Sequence, residues 1–269
     1  MQRLLTLAFA LTVAFVLSGP AFAQISPPFA EGETLTYEGK VSKIIQGIAV
    51  ADLEFTVDRI EGNDFLIKAE AKSKGTLLKL FRYSFLQRFE STIDDRNFRV
   101  LKTVKHDVQK ERVRDSEALF DYSDKRVTWT ETDPSEPMKP PRRIASEIEG
   151  TTHDLISSIY SLRMLPLAVG KTFNLKVSDS GLVYDVPVKV TGREMQKTEI
   201  GRVMCFRVEP QVFGQGRLVE GKGTMIIWIT DDTRRLPVRS RLNASIGKID
   251  IKLQSVSTKR SAQSAKNNK

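Results

Sequence analysis

Apolar and polar residues alternate with period two along most of the chain, the pattern of half-buried strands. Ala49, Ala51, Leu53, Phe55 and Val57 alternate with Asp52, Glu54, Thr56 and Asp58. After Gly62-Asn63-Asp64 the rhythm resumes in Phe65, Ile67, Ala69 and Ala71, which predicts a hairpin. Tyr184, Val186, Val188 and Val190 form a further run, followed by Met204, Phe206 and Val208. Pro187 assigns the first of these to an edge or a bulge, because proline cannot donate to a ladder. Met225 to Ile229 is continuously apolar and reads as a central strand covered on both faces. Leu242, Ala244 and Ile246, then Ile249, Ile251 and Leu253, close the series.

Two stretches leave this rhythm. Leu155, Ile156, Ile159 and Leu162 fall at helical spacing and predict a helix over 151–164. Thr151 or Thr152 can cap it, Asp154 suits its positive first turn, and Pro166 with Gly170 stops it. In the second stretch Leu77, Leu78, Phe81, Phe85 and Phe89 share a helical face. It reads as a short helix or loop over 76–83 and a strand over 84–94. Pro134, Pro137, Pro140 and Pro141 mark a loop.

About a dozen or more strands of ordinary length must curl, because strands twist. The expected fold is mainly β: a large curved antiparallel sheet, an open barrel or β-spiral, with one central helix. Two similar β subdomains are the alternative. Gly32-Glu33-Thr34-Leu35 is echoed by Gly170-Lys171-Thr172-Phe173, which divides the chain into halves of about 31–146 and 170–258 around the helix.

Composition changes this picture in three ways. Arg3, the apolar run Leu4 to Leu17, the Ser18-Gly19-Pro20 break and Ala21-Phe22-Ala23 form a secretory signal peptide over 1–23. A single exported domain over 24–258 is expected, in the periplasm. The lack of a cysteine just after the cleavage site argues against a lipid anchor. The only cysteine, Cys205, rules out an intrachain disulfide and is expected to be buried. The net charge of +9 is concentrated, with thirteen Lys/Arg against six Asp/Glu over 68–114 and four more basic residues in 259–269, read as a disordered tail. Such charge favours anionic partners, above all a membrane surface, and export argues against nucleic acid.

Catalytic chemistry finds little footing. The motifs of nucleophile elbows, zinc proteases, P-loops and dinucleotide sites are missing. His106 and His153 read as surface or cap histidines, and Asp231-Asp232 as a turn. Glu31 and Glu33 are a second carboxylate pair. No metal or cofactor is expected.

Phe29-Ala30-Glu31-Gly32-Glu33-Thr34-Leu35-Thr36-Tyr37 resembles the opening of a bacterial periplasmic family, the domain of unknown function numbered 3108. His153 to Arg163 is similar to its central helix. Gly223 to Asp232, with Arg235-Leu236-Pro237-Val238, is similar to its closing signature. The resemblance implies topology and location but no substrate. Within these blocks Asp154, Tyr160, Arg163, Trp228 and Asp231 are expected to hold structure. Tyr160 and Trp228 would anchor a core between helix and sheet, and Arg163 would cover the helix C-terminus or reach a carboxylate such as Asp231.

By analogy with other exported curved-sheet proteins, an open β concavity can hold an acyl chain. Leu77, Leu78, Phe81, Phe85 and Phe89, with Lys79 and Arg82, are the candidate ligand-binding residues. The leading expectation is therefore a non-enzymatic envelope protein that binds a lipid or acylated ligand. A protein-interaction scaffold for envelope biogenesis or secretion, using the basic face and an envelope protein partner, is the alternative. A glycan hydrolase comes third. An open apolar cleft would favour the first, and a fully packed interior the second.

Overall fold

A computed structural model describes residues 27–42, 47–60, 62, 64–245 and 247–258, so the signal-peptide and tail segments lie outside the described residues. The first half of the chain runs β1 (Thr34–Ser42), β2 (Ile48–Arg59), β3 (Phe65–Ser73), α1 (Gly75–Phe81), β4 (Phe85–Asp94), β5 (Arg99–Gln109), β6 (Arg112–Asp121), β7 (Arg126–Thr132) and β8 (Arg142–Glu147). The second runs β9 (Thr152–His153), α2 (Leu155–Met164), β10 (Thr172–Asp179), β11 (Leu182–Thr198), β12 (Gly201–Pro210), β13 (Gly223–Thr230), β14 (Pro237–Ala244) and β15 (Gly247–Ser257).

All these strands belong to one 15-stranded sheet, ordered β8 through β1, then β15 through β9. The chain starts at the centre, walks outward to β8, crosses to the opposite edge and walks back until β15 pairs antiparallel with β1. The sheet is strongly curved and does not close, and α2 lies in its concavity. Two separate β subdomains are thereby excluded. Each half opens on the same turn. Gly32 N donates to Val57 O (2.7 Å) and Val57 N to Glu33 O (3.0 Å); Gly170 N donates to Val190 O (2.8 Å) and Val190 N to Lys171 O (2.9 Å). The repeated Gly-x-Thr is thus a repeated hydrogen-bond pattern, with φ 77° and 87° at the two glycines.

Local reasons explain where expectation and structure part. The helix starts later than expected because Thr152–His153 pair in parallel with β10, and the cap is Asp154, not a threonine. Asp154 Oδ1 accepts from Ile156 N (3.0 Å) and Ser157 N (2.7 Å), and Ser157 Oγ accepts from Asp154 N (3.0 Å), a complete capping box. Pro187 sits in an interior strand, between β10 and β12. Its carbonyl accepts from Gln211 N, just past the last β11–β12 pair at Val188 and Pro210, so its missing donor falls where the ladder has ended.

The two sheet edges meet at one corner. Ser146 Oγ donates to Gly181 O (2.7 Å), and Gly181 adopts φ 80° in the β10–β11 turn. A Cβ there would lie 2.8 Å from Ile144 Cβ and 2.9 Å from Trp129 Cβ. Gly181→Ala is expected to lower stability by about 3 kcal/mol, from left-handed strain and overpacking together. A urea midpoint unchanged from wild type would contradict this contact.

Candidate functional site

The concave face is sorted by cross-strand rows. Leu35, Phe55, Ala69 and Phe89 face one another across β1 to β4, and Tyr37, Leu53, Ala71 and Gln87 form the next row. At one end of the strands this face is plugged. The Phe29 ring packs on Phe65 (5.6 Å), Phe98 (5.7 Å) and Tyr160 (5.1 Å). Beneath it Arg163 is buried, with its guanidinium forked onto Glu33 (2.5 and 2.9 Å) and bonded to Pro28 O and Arg234 O (both 3.0 Å). This corrects the expected partner: Asp231 instead pairs with Arg193 and Arg235. Tyr160 packs between helix and sheet. Burial first, and Glu33 next, hold its hydroxyl well above the usual phenol range.

Toward the other end of the strands the face opens. Half-buried Leu155, Ser158 and Ile159 of α2 look across a cavity of about 330 Å³. One wall is Leu53, Phe55, Ala71 and Phe89; the other is Val186, Val188, Met225 and Ile227. Val212 and Leu218, in the loop between β12 and β13, cover part of it. A smaller apolar space of about 120 Å³ shares Leu53, Phe55, Ile159, Met225 and Ile227 with it and reaches Tyr37 and Tyr160. The larger space falls within the ~300–1,000 Å³ typical of ligand pockets.

Of the ligand residues expected from the sequence, Phe89 lines this cavity. Phe85 begins β4, half-buried between Tyr83 and Ser73. Leu77, Leu78, Lys79 and Phe81 lie on α1, which has no buried residue, and Arg82 caps its C-terminus in the left-handed conformation. The sequence reading missed the α2 face and the β2 and β13 walls. Their alternation identified them as strand or helix residues, but the side they presented depended on how the sheet curls.

Across Phe89 and Leu155 from the apolar cavity lies a polar recess that includes Lys105, Asp107, Arg114, Glu131 and Asp154. Asp154 serves the fold here: its Oδ2 accepts from Thr103 Oγ1 (2.6 Å) and from Ser91 Oγ, tying the helix start to β4 and β5.

Trp228 requires a second correction. It lies opposite Arg207 on the sheet face away from α2, while its neighbours Ile227 and Ile229 face the helix side. The long β11–β12 hairpin bends over it. Its Nε1 donates to Glu194, and Arg239 and Arg241 stack at 5.1 and 5.3 Å from the ring. Cys205 shares that pocket, fully buried. Burial, with Asp232, Glu194 and Asp231 adding to it, pushes the thiol up to about 12. Native Cys205 is therefore expected to resist a thiol reagent at neutral pH and to react once unfolded. Rapid labelling of the folded protein would contradict its burial.

The remaining polar candidates have structural partners. His106 Nδ1 pairs with Asp115 (2.6 Å). Asp232 accepts from Thr230, Arg234 and Arg235 within a turn. Among the described residues, the carboxylates of Asp64, Asp94 and Asp95 come within 4.8 Å of one another. Turn amides account for two of them, since Asp95 N reaches Asp64 and Arg96 N reaches Asp94, and Arg59 lies 3.8 Å from Asp95.

Among solved structures, the chain resembles a β-barrel-like protein of the domain of unknown function DUF1849 from Brucella abortus, with a TM-score of 0.56 at 7% identity over 85% of this chain and 99% of that one. This is a likeness of fold. A protein provisionally described as exported, with a YmcC-like fold, from Bacteroides fragilis matches at a TM-score of 0.32 and 11% identity, over 86% of this chain and 98% of that one. One provisionally described as a lipoprotein, from Parabacteroides distasonis, matches at 0.32 and 10%, over 87% and 98%. No curated protein matches the sequence. The profile of the family described as protein of unknown function (DUF3108) matches residues 34–254, and the chain belongs to that family.

Proposed function

We infer that this chain is an exported, non-enzymatic carrier or receptor for an acyl-bearing ligand, whose hydrocarbon lies in the groove between α2 and the concave sheet. The observation that carries this reading is the apolar space of about 330 Å³, walled by half-buried side chains such as Leu53, Phe55, Phe89 and Ile159. A fully packed core would bury these groups against protein. Here they face one another across a gap that an alkyl chain would fill, at about 0.8 kcal/mol per buried methylene. Export rests on the signal-peptide pattern of residues 1–23. The absence of catalysis is supported by the state of the reactive groups: Cys205 is buried with a raised pKa, and His153 is buried beside the helix cap.

A fluorescent fatty-acyl probe tests the reading. Wild-type protein should take it up saturably. Ala71→Phe, which puts a ring into the groove from the sheet, should keep the fold and abolish uptake. No uptake by wild-type protein would remove the reading and leave the interaction-scaffold alternative in front.

A further inference from the structure

The geometry points to a second surface: the strand ends that carry α1 form a docking face for an anionic lipid bilayer. This goes beyond the groove and does not need it to be occupied.

Three observations carry the inference. First, α1 exposes large apolar side chains: Leu78 is 53%, Leu80 55% and Phe81 53% exposed, and the helix buries none of its residues. The Thr76 hydroxyl tethers it to the sheet through Ala49 O. A core helix hides such groups, whereas an interfacial element presents them to acyl chains. Met138, in the β7–β8 loop at the same strand ends, is 95% exposed.

Second, unpaired basic residues lie at the same strand ends as this patch. Lys79 and Arg82 belong to α1 and its cap, Lys110 and Arg112 to the β5–β6 turn, and Lys222 and Lys248 to the starts of β13 and β15. Glu111 and Glu220 lie among them, and the β7–β8 loop adds Asp133 and Glu136, which pair with Arg114 and Lys139. None of these six cations makes an ion pair among the described residues, although Lys110 lies over the Tyr83 ring (5.9 Å). The unpaired cations beside α1 are the charges an anionic headgroup would meet there.

Third, the face borders the groove. Phe85 follows α1 and bonds through its backbone to Ser73, at the end of the strand that gives Ala71 to the groove wall. A bilayer touching α1 would thus meet the end of the molecule toward which the groove opens.

Vesicle co-sedimentation tests the proposal on the protein with its 259–269 segment intact. Equal parts phosphatidylglycerol and phosphatidylcholine should bind it about tenfold or more tightly than phosphatidylcholine alone, with the difference shrinking in salt. Lys79→Glu with Arg82→Glu should remove most of that difference. Leu78→Asp with Phe81→Asp should fold, since both side chains are already exposed, and should lose sedimentation while keeping its net basic charge. If that variant misfolds, Phe81→Trp decides: the indole emission it adds should shift to the blue on anionic vesicles. Binding that survives these changes, or added emission from Phe81→Trp that vesicles leave unmoved, would overturn the proposal by assigning adhesion to the basic tail or another surface. Uptake of soluble acyl probe, read on the same variants, should persist. Its loss in wild-type protein would overturn the groove reading and leave this one standing.

Discussion

Replacing Arg163 with methionine is expected to lower stability by about 3–5 kcal/mol, because it strands a buried carboxylate without its partner. Glu33 is 6% exposed and is held by both terminal nitrogens of Arg163. The same guanidinium bonds to Pro28 O and Arg234 O, so it joins the start of the sheet, the end of α2 and the β13–β14 turn. Removing it leaves carbonyls unsatisfied as well as a charge. Glu33→Gln combined with Arg163→Met should recover a large part of the loss, since no ion is then left buried alone. Urea unfolding of the two single variants and the double variant checks this. Single variants that unfold like wild type would show that the pair holds nothing together.

Acidification is expected to weaken the fold through His153. This imidazole is 6% exposed, its ring centroid lies 6.1 Å from that of Phe98, and its Nδ1 has no hydrogen-bond partner. Burial pushes its pKa down from 6.5 to about 4, against an opposing pull from Asp154. The folded state therefore binds a proton less readily than the unfolded chain. Above pH 6.5 the side chain is neutral in both states and nothing is lost. As pH falls from 6.5 toward 4 the unfolded chain gains the proton first, and stability drops by up to about 3 kcal/mol. His153→Phe should flatten that part of the stability–pH curve relative to wild type. Parallel curves for the two proteins between pH 7 and pH 4 would refute the assignment.

Most of the strands named from the sequence were legible because they have one face on the core and one face out, which writes period two into the sequence. The β2–β3 hairpin, the helix through Leu155, Ile159 and Leu162 (though not its start) and the α1–β4 switch follow from local pattern. The contacts that decide the site are not local. Arg163 meets Glu33 across 130 residues of chain, and no spacing rule selects that carboxylate over Asp231. Trp228 was readable as buried, and Met225 to Ile229 as covered on both faces. What covers its outer face, the bent end of the β11–β12 hairpin, depends on a register shift between Val190 and Gly192. The groove was hidden for a related reason. Leu53, Phe89 and Met225 look like any core residues in sequence, and only the curvature of the whole sheet leaves a gap between them and α2.

Photo-crosslinking tests the central claim most directly. A long-chain fatty acid carrying a diazirine near its methyl end would be bound to the wild-type protein, irradiated, and the modified peptides mapped by mass spectrometry. Labels are expected on the groove walls, in the segment Leu155 to Leu162 and on β2 or β13, competed away by unlabelled fatty acid. Labels confined to α1, or scattered over the convex face and insensitive to competition, would contradict it.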